Sequence, residues 1–260
     1  MRILFIGDVF GSPGRKLLSD HLADLVSRHS IDLVIANGEN AAGGLGITPR
    51  LAEELFGLGI EVMTTGNHVW DKKEIVEYFQ QHPRLLRAAN FPGGAPGSGV
   101  FRGKSRGGVD YAVLHLQGRV FMLPLDCPFR RADEEISKLP AECRIRIVDV
   151  HAEATSEKQA LGWYLDGRVT AVVGTHTHVP TADERVLPGG TAFITDVGMT
   201  GPYESVIGMD KDIVLGKFLT QMPARFESAK ADVRLAAVII DADETTGKAR
   251  SIERFELKVQ

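Results

Sequence analysis

The residues able to do chemistry in this sequence are Asp8, Glu39, Asn40, Asn67, His68, His151, His176 and His178, a set of carboxylates, amides and imidazoles. Each stands just after a short apolar run. Asp8 follows residues 2–7, Glu39 and Asn40 follow 32–37, and Asn67 and His68 follow 61–65. His151 follows residues 145–150, and His176 and His178 follow 169–174. Taken singly, each has an ordinary structural reading. An aspartate after a strand commonly closes a turn. Gly38-Glu39-Asn40 is a polar turn, Asn67-His68 a loop pair, and His151 alone a core histidine. His176-Thr177-His178 says more, because side chains at i and i+2 of an extended chain share a face and can reach one point. Together the five endings converge on the crevice beyond the carboxyl ends of strands, where α/β sheets build their sites. Gly7, Gly38, Gly66 and Gly174 suit a chain that turns sharply off a sheet at these points.

The donors restrict the metal. Carboxylate, amide oxygen and imidazole, with no thiolate, suit manganese, iron or zinc. There are more ligands than one ion needs; two ions about 3.5–4 Å apart, bridged by one carboxylate, would use them all. Asp8 and Glu39 bring two negative charges against about four positive ones from two divalent ions, so the site keeps a positive excess. That excess attracts a phosphate and acidifies a bridging water. It matters because the chain as a whole is acidic, with 34 Asp and Glu against 30 Lys and Arg. A net charge of -4 gives no general pull toward nucleic acid or anionic lipid.

Such residues need strands that end together. The 260 residues, 43% hydrophobic and 25% charged, suffice for a core, and one set of motifs predicts a single domain over residues 1–260. Leu17, Leu18, Leu22, Leu25 and Val26 predict a helix over residues 14–29. Thr48-Pro49 offers an N-cap and first-turn proline for a helix to Leu58. Asp71 with Glu74 resembles a capping box opening a helix to Gln80. Residues 90–108, rich in Gly, Pro and Ser, read as a long loop: a lid, a subunit contact in a homo-oligomer, or a disordered excursion. Residues 111–116 and 119–123, around Gln117-Gly118, suggest a hairpin. Helices are also predicted over 156–165 and 211–221, a strand over 191–195, and a last strand pair over 233–241 and 251–258. The order predicts a layered α/β fold with a mixed sheet or two stacked sheets. Cys127 and Cys143 are too few for a disulfide framework and read as reduced thiols. The apolar start at Met1 is too short for a signal segment, and no run approaches the ~20 apolar residues of a membrane span. A cytoplasmic protein with no membrane partner is expected.

The ordered endings Gly7-Asp8, Gly38-Glu39-Asn40, Gly66-Asn67-His68, His151 and Gly174-Thr175-His176-Thr177-His178 resemble those of the calcineurin-like metallophosphoesterases. There are two departures: Asp8-Val9-Phe10 stands in place of Asp-x-His, and Glu39 in place of the bridging aspartate. Both point to the YmdB-like subfamily. Ile6-Gly7-Asp8-Val9-Phe10-Gly11, Asn37-Gly38-Glu39-Asn40-Ala41 and Thr65-Gly66-Asn67-His68 are similar to its motifs. So are Thr195-Asp196-Val197-Gly198-Met199-Thr200-Gly201-Pro202 and Ser205-Val206-Ile207-Gly208, and the likeness runs along nearly the whole chain. It implies a four-layer αββα sandwich of the metallophosphoesterase type with two mixed sheets. It also implies two iron or manganese ions and hydrolysis of 2′,3′-cyclic nucleotides at the 2′ bond, giving 3′-nucleotides. Carried over by position, it implies one ion on Asp8, Glu39, Asn40 and His178 and another on Glu39, Asn67, His151 and His176. Glu39 would bridge, and Asn40 would replace the missing first histidine. Hydroxide bridging the ions would be the nucleophile, and His68, not a ligand, the catalytic acid.

The same core would serve a broad-specificity phosphomonoesterase or phosphodiesterase. A chain that bound metal or nucleotide without turnover would be a regulator. No basic cluster or aromatic platform points to structured RNA. Arg15 reads as solvating a helix start, Thr200-Gly201-Pro202 as a structural loop, and His21, His29, His82 and His115 as surface or core residues.

Overall fold

The computed structural model of the protein describes residues 1–258. The chain begins with β1 (Arg2–Ile6), β2 (Asp8–Val9), α1 (Gly11–Arg28), β3 (Leu33–Asn37), α2 (Pro49–Gly57), β4 (Val62–Thr64), α3 (Ile75–Gln81) and β5 (Leu85–Leu86). β1, β3, β4 and β5 pair in parallel, in that order. Every residue of β3 and β4 is buried. Unbroken apolar runs of this kind are what a parallel sheet covered on both faces needs.

A second sheet follows, from β6 (Val100–Lys104), β7 (Asp110–Gln117), α4 (Pro128–Ser137), β8 (Ile145–His151), α5 (Thr155–Leu165), β9 (Ala171–Thr175), β10 (Arg185–Val186) and β11 (Ala192–Ile194). β7, β8, β9 and β11 are parallel. Antiparallel β6 and β10 close its two edges. The chain then returns to the first sheet with β12 (Met199–Pro202), α6 (Lys211–Thr220), β13 (Val233–Ala242) and β14 (Ala249–Lys258). β13 lies antiparallel to β1 and to β12, and β12 runs parallel to β2.

The two sheets, of eight and six strands, stack face to face. Ile3, Phe5, Ile35 and Val62 of one meet Val113, Ile147, Val173 and Ile194 of the other. Alternate strand residues point the opposite way. Leu4, Ile6, Val34 and Met63 pack under Leu18 and Leu22 of α1, Leu55 of α2 and Phe79 of α3. Val148, Val150 and Val172 pack under Ala132 of α4 and Leu161 and Leu165 of α5. Each of the larger side chains, Val, Leu, Ile, Met or Phe, contributes ~1.5–3 kcal/mol when fully buried. The architecture is the expected four-layer αββα sandwich with two mixed sheets.

Local expectations fare unevenly. Thr48 caps α2 as its sequence suggests, its Oγ1 accepting from Leu51 N at 3.3 Å, with Pro49 in the first turn. The capping box at Asp71 and Glu74 does not form: α3 starts at Ile75 with no side-chain cap, and the Asp71 carboxylate turns instead to His68. Residues 90–108 are not one loop, because Val100–Lys104 forms β6. Their first part is pinned by Arg87, which donates to the carbonyls of Ala95 and Pro96 at 3.3 and 3.2 Å. The hairpin around Gln117-Gly118 is absent too. β7 finds both partners elsewhere, in β6 and β8, and Arg119 N and Val120 N donate to the Glu157 carboxylate of α5.

Candidate metal centre

β1, β3 and β4 of one sheet and β8 and β9 of the other open at their carboxyl ends on one crevice, and the eight residues singled out by spacing meet there. His151 is the last residue of β8 and lies at the middle of the group. Its Nε2 is 2.6 Å from Glu39 Oε2, 3.2 Å from Asn67 Oδ1 and 3.1 Å from His176 Nδ1. A second set adjoins it. His178 Nε2 lies 3.9 Å from Asp8 Oδ1 and 2.9 Å from Asn40 Nδ2. Asp8 Oδ1 is also 4.0 Å from His151 Nδ1. The amide of Asn40 thus presents its nitrogen to His178, and ligation through its oxygen needs the amide to turn over. His68 stands at the rim, about one-third exposed, with Nε2 4.0 Å from Glu39 Oε1. Its backbone N–H donates to the same oxygen at 3.2 Å.

Several local devices create this convergence. The chain turns off the sheet at Gly38 and Gly66, where Ala41 N donates to Gly38 O at 3.2 Å and Val69 N to Gly66 O at 3.3 Å. None of Gly7, Gly38, Gly66 and Gly174 has a positive φ, however, so these turns do not need glycine's backbone freedom. Gly7, Gly66 and Gly174 serve close approach, and a Cβ on Gly7 would lie 2.0 Å from Gly198 O. A Cβ on Gly66 would lie 1.5 Å from Glu39 Oε2 and 2.2 Å from His151 Nε2, and one on Gly174 would lie 1.7 Å from Thr195 O. The strained positions are the histidines, His176 at φ 102° and His178 at φ 66°. Such backbone costs ~1–3 kcal/mol per residue and persists only where the surroundings hold it.

Groups behind the site orient the imidazoles. His151 Nδ1 lies 3.0 Å from Thr175 Oγ1, whose hydroxyl donates to Asp149 Oδ1 at 2.8 Å. Asn37 Nδ2 donates to Thr65 O at 2.8 Å and lies 3.3 Å from Asp149 Oδ2. His178 Nδ1 donates to the Ile207 carbonyl at 2.8 Å. His176 Nε2 is 3.0 Å from Glu153 Oε2. In each case one ring nitrogen is occupied outward and the other is left facing the crevice, an arrangement that fixes metal-ligating histidines.

Electrostatics give the donors their character. Burial raises the Asp8 carboxyl well above the usual carboxylate range, and the nearby Asp196 and Glu39 charges add to this. Glu39 is raised by burial, with His68 and His176 opposing. Burial pushes His151 well below the usual imidazole range. It lowers His176 to about 4, aided by His151, and lowers His178 against the pull of the Ile207 carbonyl. Burial opposes ionisation of Asp149 as well, yet His115 and His151 alongside hold its carboxyl below the ordinary value. The crevice therefore has imidazoles kept neutral, with lone pairs free, around two carboxylates short of positive charge. Asp8 Oδ1 and Glu39 Oε2 are buried and make no hydrogen bond. Asp8, Glu39 and His151 offer ligand atoms all within 4.8 Å of one another. Buried oxygens of this kind cost free energy unless a cation or donor meets them, so the residues fit metal ions.

Sequence reasoning passes over the supporting groups. Asp149 has a readable signal, a charged residue two before His151 in an otherwise apolar strand and hence on the same face. His115 is a core residue, fully buried 3.4 Å from Asp149. Asp196 lies in the motif over residues 195–202, but its buried partner behind His176 and His178, Lys158, has no local signal. Arg15 donates to Ala41 O at 2.5 Å and pairs with Glu54. Thr200-Gly201-Pro202, expected as a structural loop, instead belongs to strand β12, where the Thr200 hydroxyl bonds Ala236 O.

The family described as YmdB-like protein matches residues 4–255. This chain belongs to that family. It is 52% identical over 255 residues to the 2′,3′-cyclic-nucleotide 2′-phosphodiesterase of Bacillus subtilis (strain 168), covering 98% of this chain and 96% of that protein. Among solved structures, a hypothetical protein from Thermus thermophilus is 43% identical, with a TM-score of 0.93 and 99% of both chains covered. A novel phosphatase from Mycoplasma pneumoniae is 35% identical with the same TM-score of 0.93, covering 99% of this chain and 93% of that one. Family membership agrees with the fold.

Proposed function

We propose that this protein is a metal-dependent phosphodiesterase that opens 2′,3′-cyclic nucleotides at the 2′ bond and releases 3′-nucleotides. The observation that carries the reading is the pair of buried, unbonded carboxylate oxygens, Asp8 Oδ1 and Glu39 Oε2, ringed by imidazoles held neutral. The 52% identity to a relative of that activity supplies the substrate class. In this reading Asp8, Glu39, Asn40, Asn67, His151, His176 and His178 would hold two metal ions, with Asp8, Asn40 and His178 on one side of Glu39 and Asn67, His151 and His176 on the other. Bound cations supply positive charge for the phosphate and acidify a water. Iron or manganese suits oxygen and imidazole donors.

The chain's own part is to place and protonate. Asp71 accepts from His68 Nδ1 and so directs Nε2 toward the crevice. From there His68 donates a proton to the departing ribose O2′, which would otherwise leave as an alkoxide. Thr175 and Asp149 hold the ring of His151, and the Ile207 carbonyl holds that of His178. No helix among the described residues is long and apolar enough to cross a membrane. A cytoplasmic setting belongs to the reading, in keeping with the free thiols Cys127 and Cys143.

The test is steady-state hydrolysis of 2′,3′-cyclic AMP by metal-reconstituted protein, with the product isomer identified. Multiple turnovers yielding the 3′-nucleotide are expected. No turnover, or the 2′-nucleotide as product, would overturn the proposal. A broader phosphatase activity is the second reading, favoured by the similarity to the Mycoplasma pneumoniae phosphatase. It predicts comparable turnover of nitrophenyl and phosphoamino-acid esters in the same assay.

A further inference from the structure

Lys158 is fully buried in the first turn of α5, against the second sheet. Its ammonium meets Asp196 Oδ2 at 2.7 Å, and both side chains are essentially inaccessible to solvent. A buried ion pair is weak support for stability, since desolvation offsets the attraction. What this pair holds is more informative. Asp196 Oδ2 also accepts from Thr177 N at 3.1 Å and from Thr177 Oγ1 at 2.8 Å. Its other oxygen accepts from Gly198 N at 2.8 Å, and its own N–H donates to Thr181 Oγ1 at 2.9 Å. Thr177 stands between His176 and His178, both at positive φ. Nothing in an L-residue favours that backbone, so an outside force must hold it. Gly174 leaves the room: a Cβ there would lie 2.9 Å from Lys158 Cδ.

We propose that Lys158 is a positioning residue which, through Asp196 and Thr177, locks the strained His176-Thr177-His178 backbone so that both imidazoles face the cation site. The proposal rests on reading that site as a metal centre, and it names a clamp on the opposite side of the loop from the ligand atoms. The lysine neutralises the Asp196 charge in a place water does not reach. Asp196 is then free to act as a fixed acceptor for the loop.

The test is manganese binding by calorimetry to metal-stripped wild type, Lys158→Met and Thr177→Val, with thermal melts of each stripped protein. Lys158→Met keeps the length of the side chain and removes the charge. Thr177→Val removes one bond to Asp196 on the partly exposed side and leaves the core untouched, so it remains informative if Lys158→Met does not fold. Supporting groups of this kind are worth ~10–100-fold in metal affinity. Lys158→Met is expected to lose that much, and Thr177→Val several-fold, with the melt of stripped Thr177→Val close to wild type. A merely structural lysine would lower the melting temperature and leave the manganese affinity of the folded variants unchanged, and that result overturns the clamp alone. Wild type that takes up no manganese overturns both the clamp and the metal reading.

Discussion

His68 Nδ1 lies 2.9 Å from Asp71 Oδ2, three residues on in the same loop, and this contact turns the far nitrogen of the ring toward the crevice. In the proposed function His68 is the proton donor and not a ligand. His68→Ala is expected to retain its metal content and lose ~10²–10⁴-fold in kcat on 2′,3′-cyclic AMP. The loss should shrink for a nitrophenyl ester, whose leaving group needs no proton. Asp71→Asn should lose less than His68→Ala, with KM little changed. Elemental analysis beside kinetics checks this; loss of metal from His68→Ala would show that the ring is a ligand.

Asp8 yields a sign test. Its folded-state pKa is raised by burial and by Asp196 and Glu39, so the folded chain without metal binds a proton more tightly at this group than the unfolded chain does. Ionising the group as pH rises above the ordinary carboxylate range therefore costs stability in metal-stripped protein. Asp8→Asn removes that cost. In chelator-treated protein at neutral pH it is expected to melt at or above the wild-type temperature. With a cation at 100 times its Kd, wild type gains ~2.7 kcal/mol and the variant much less. Melts of both proteins with chelator and with manganese decide it; a variant that melts lower when stripped yet keeps the full manganese gain would contradict the assignment.

Protons and cations compete at the same oxygens. Because burial raises both Asp8 and Glu39, they hold their protons to higher pH than ordinary carboxylates do, and a cation must displace those protons. Manganese affinity should fall as pH is lowered toward the carboxylate range, with proton release on binding. Calorimetry in buffers of different ionisation enthalpy measures that release. An affinity independent of pH would show that neither carboxylate is a ligand.

The strand endings are legible in sequence because period and chemistry coincide there: an apolar run stops, and a donor follows within one to three residues, as in Gly7-Asp8 and Gly66-Asn67-His68. The alternation of β3, α2 and β4 is legible for the same reason. What misleads is local resemblance without tertiary context. Asp71 with Glu74 has the spacing of a capping box, but the Asp71 carboxylate is taken by His68, a charge partner that spacing does not reveal. Gln117-Gly118 looks like a hairpin turn, but β7 is already paired on both edges. The four glycines look conformational in sequence, yet Gly7, Gly66 and Gly174 are steric, a distinction that depends on atoms brought from over 20 residues away. Lys158 is invisible in sequence because its partner, Asp196, is 38 residues distant.

Thr175 carries the next prediction. Its hydroxyl stands between His151 Nδ1 at 3.0 Å and Asp149 Oδ1 at 2.8 Å. Valine has the same shape and cannot relay the contact. Thr175→Val leaves the buried Asp149 oxygen short of a donor and the His151 ring free to take the wrong tautomer. Metal affinity is expected to fall ~10–100-fold, with activity recovering at saturating manganese. Titrating kcat against manganese concentration checks this; unchanged affinity would show that the relay plays no part.

Gly66 makes the steepest prediction from the smallest change. An added methyl would stand 1.5 Å from Glu39 Oε2 and 2.4 Å from His151 Cδ2, distances no rotamer change in the methyl itself relieves. Glu39 or His151 must move, and both belong to the proposed centre. Gly66→Ala is expected to fold, since the collision lies in the crevice and not between the sheets, but to lose metal and all measurable turnover. Gly59→Ala is the control for the opposite mechanism. It has open space around the site of the Cβ but φ 98°, so it should cost stability through backbone strain and leave the metal in place. Elemental analysis and melts of the two variants separate the causes; full metal occupancy in Gly66→Ala would mean that Glu39 and His151 do not hold the positions described.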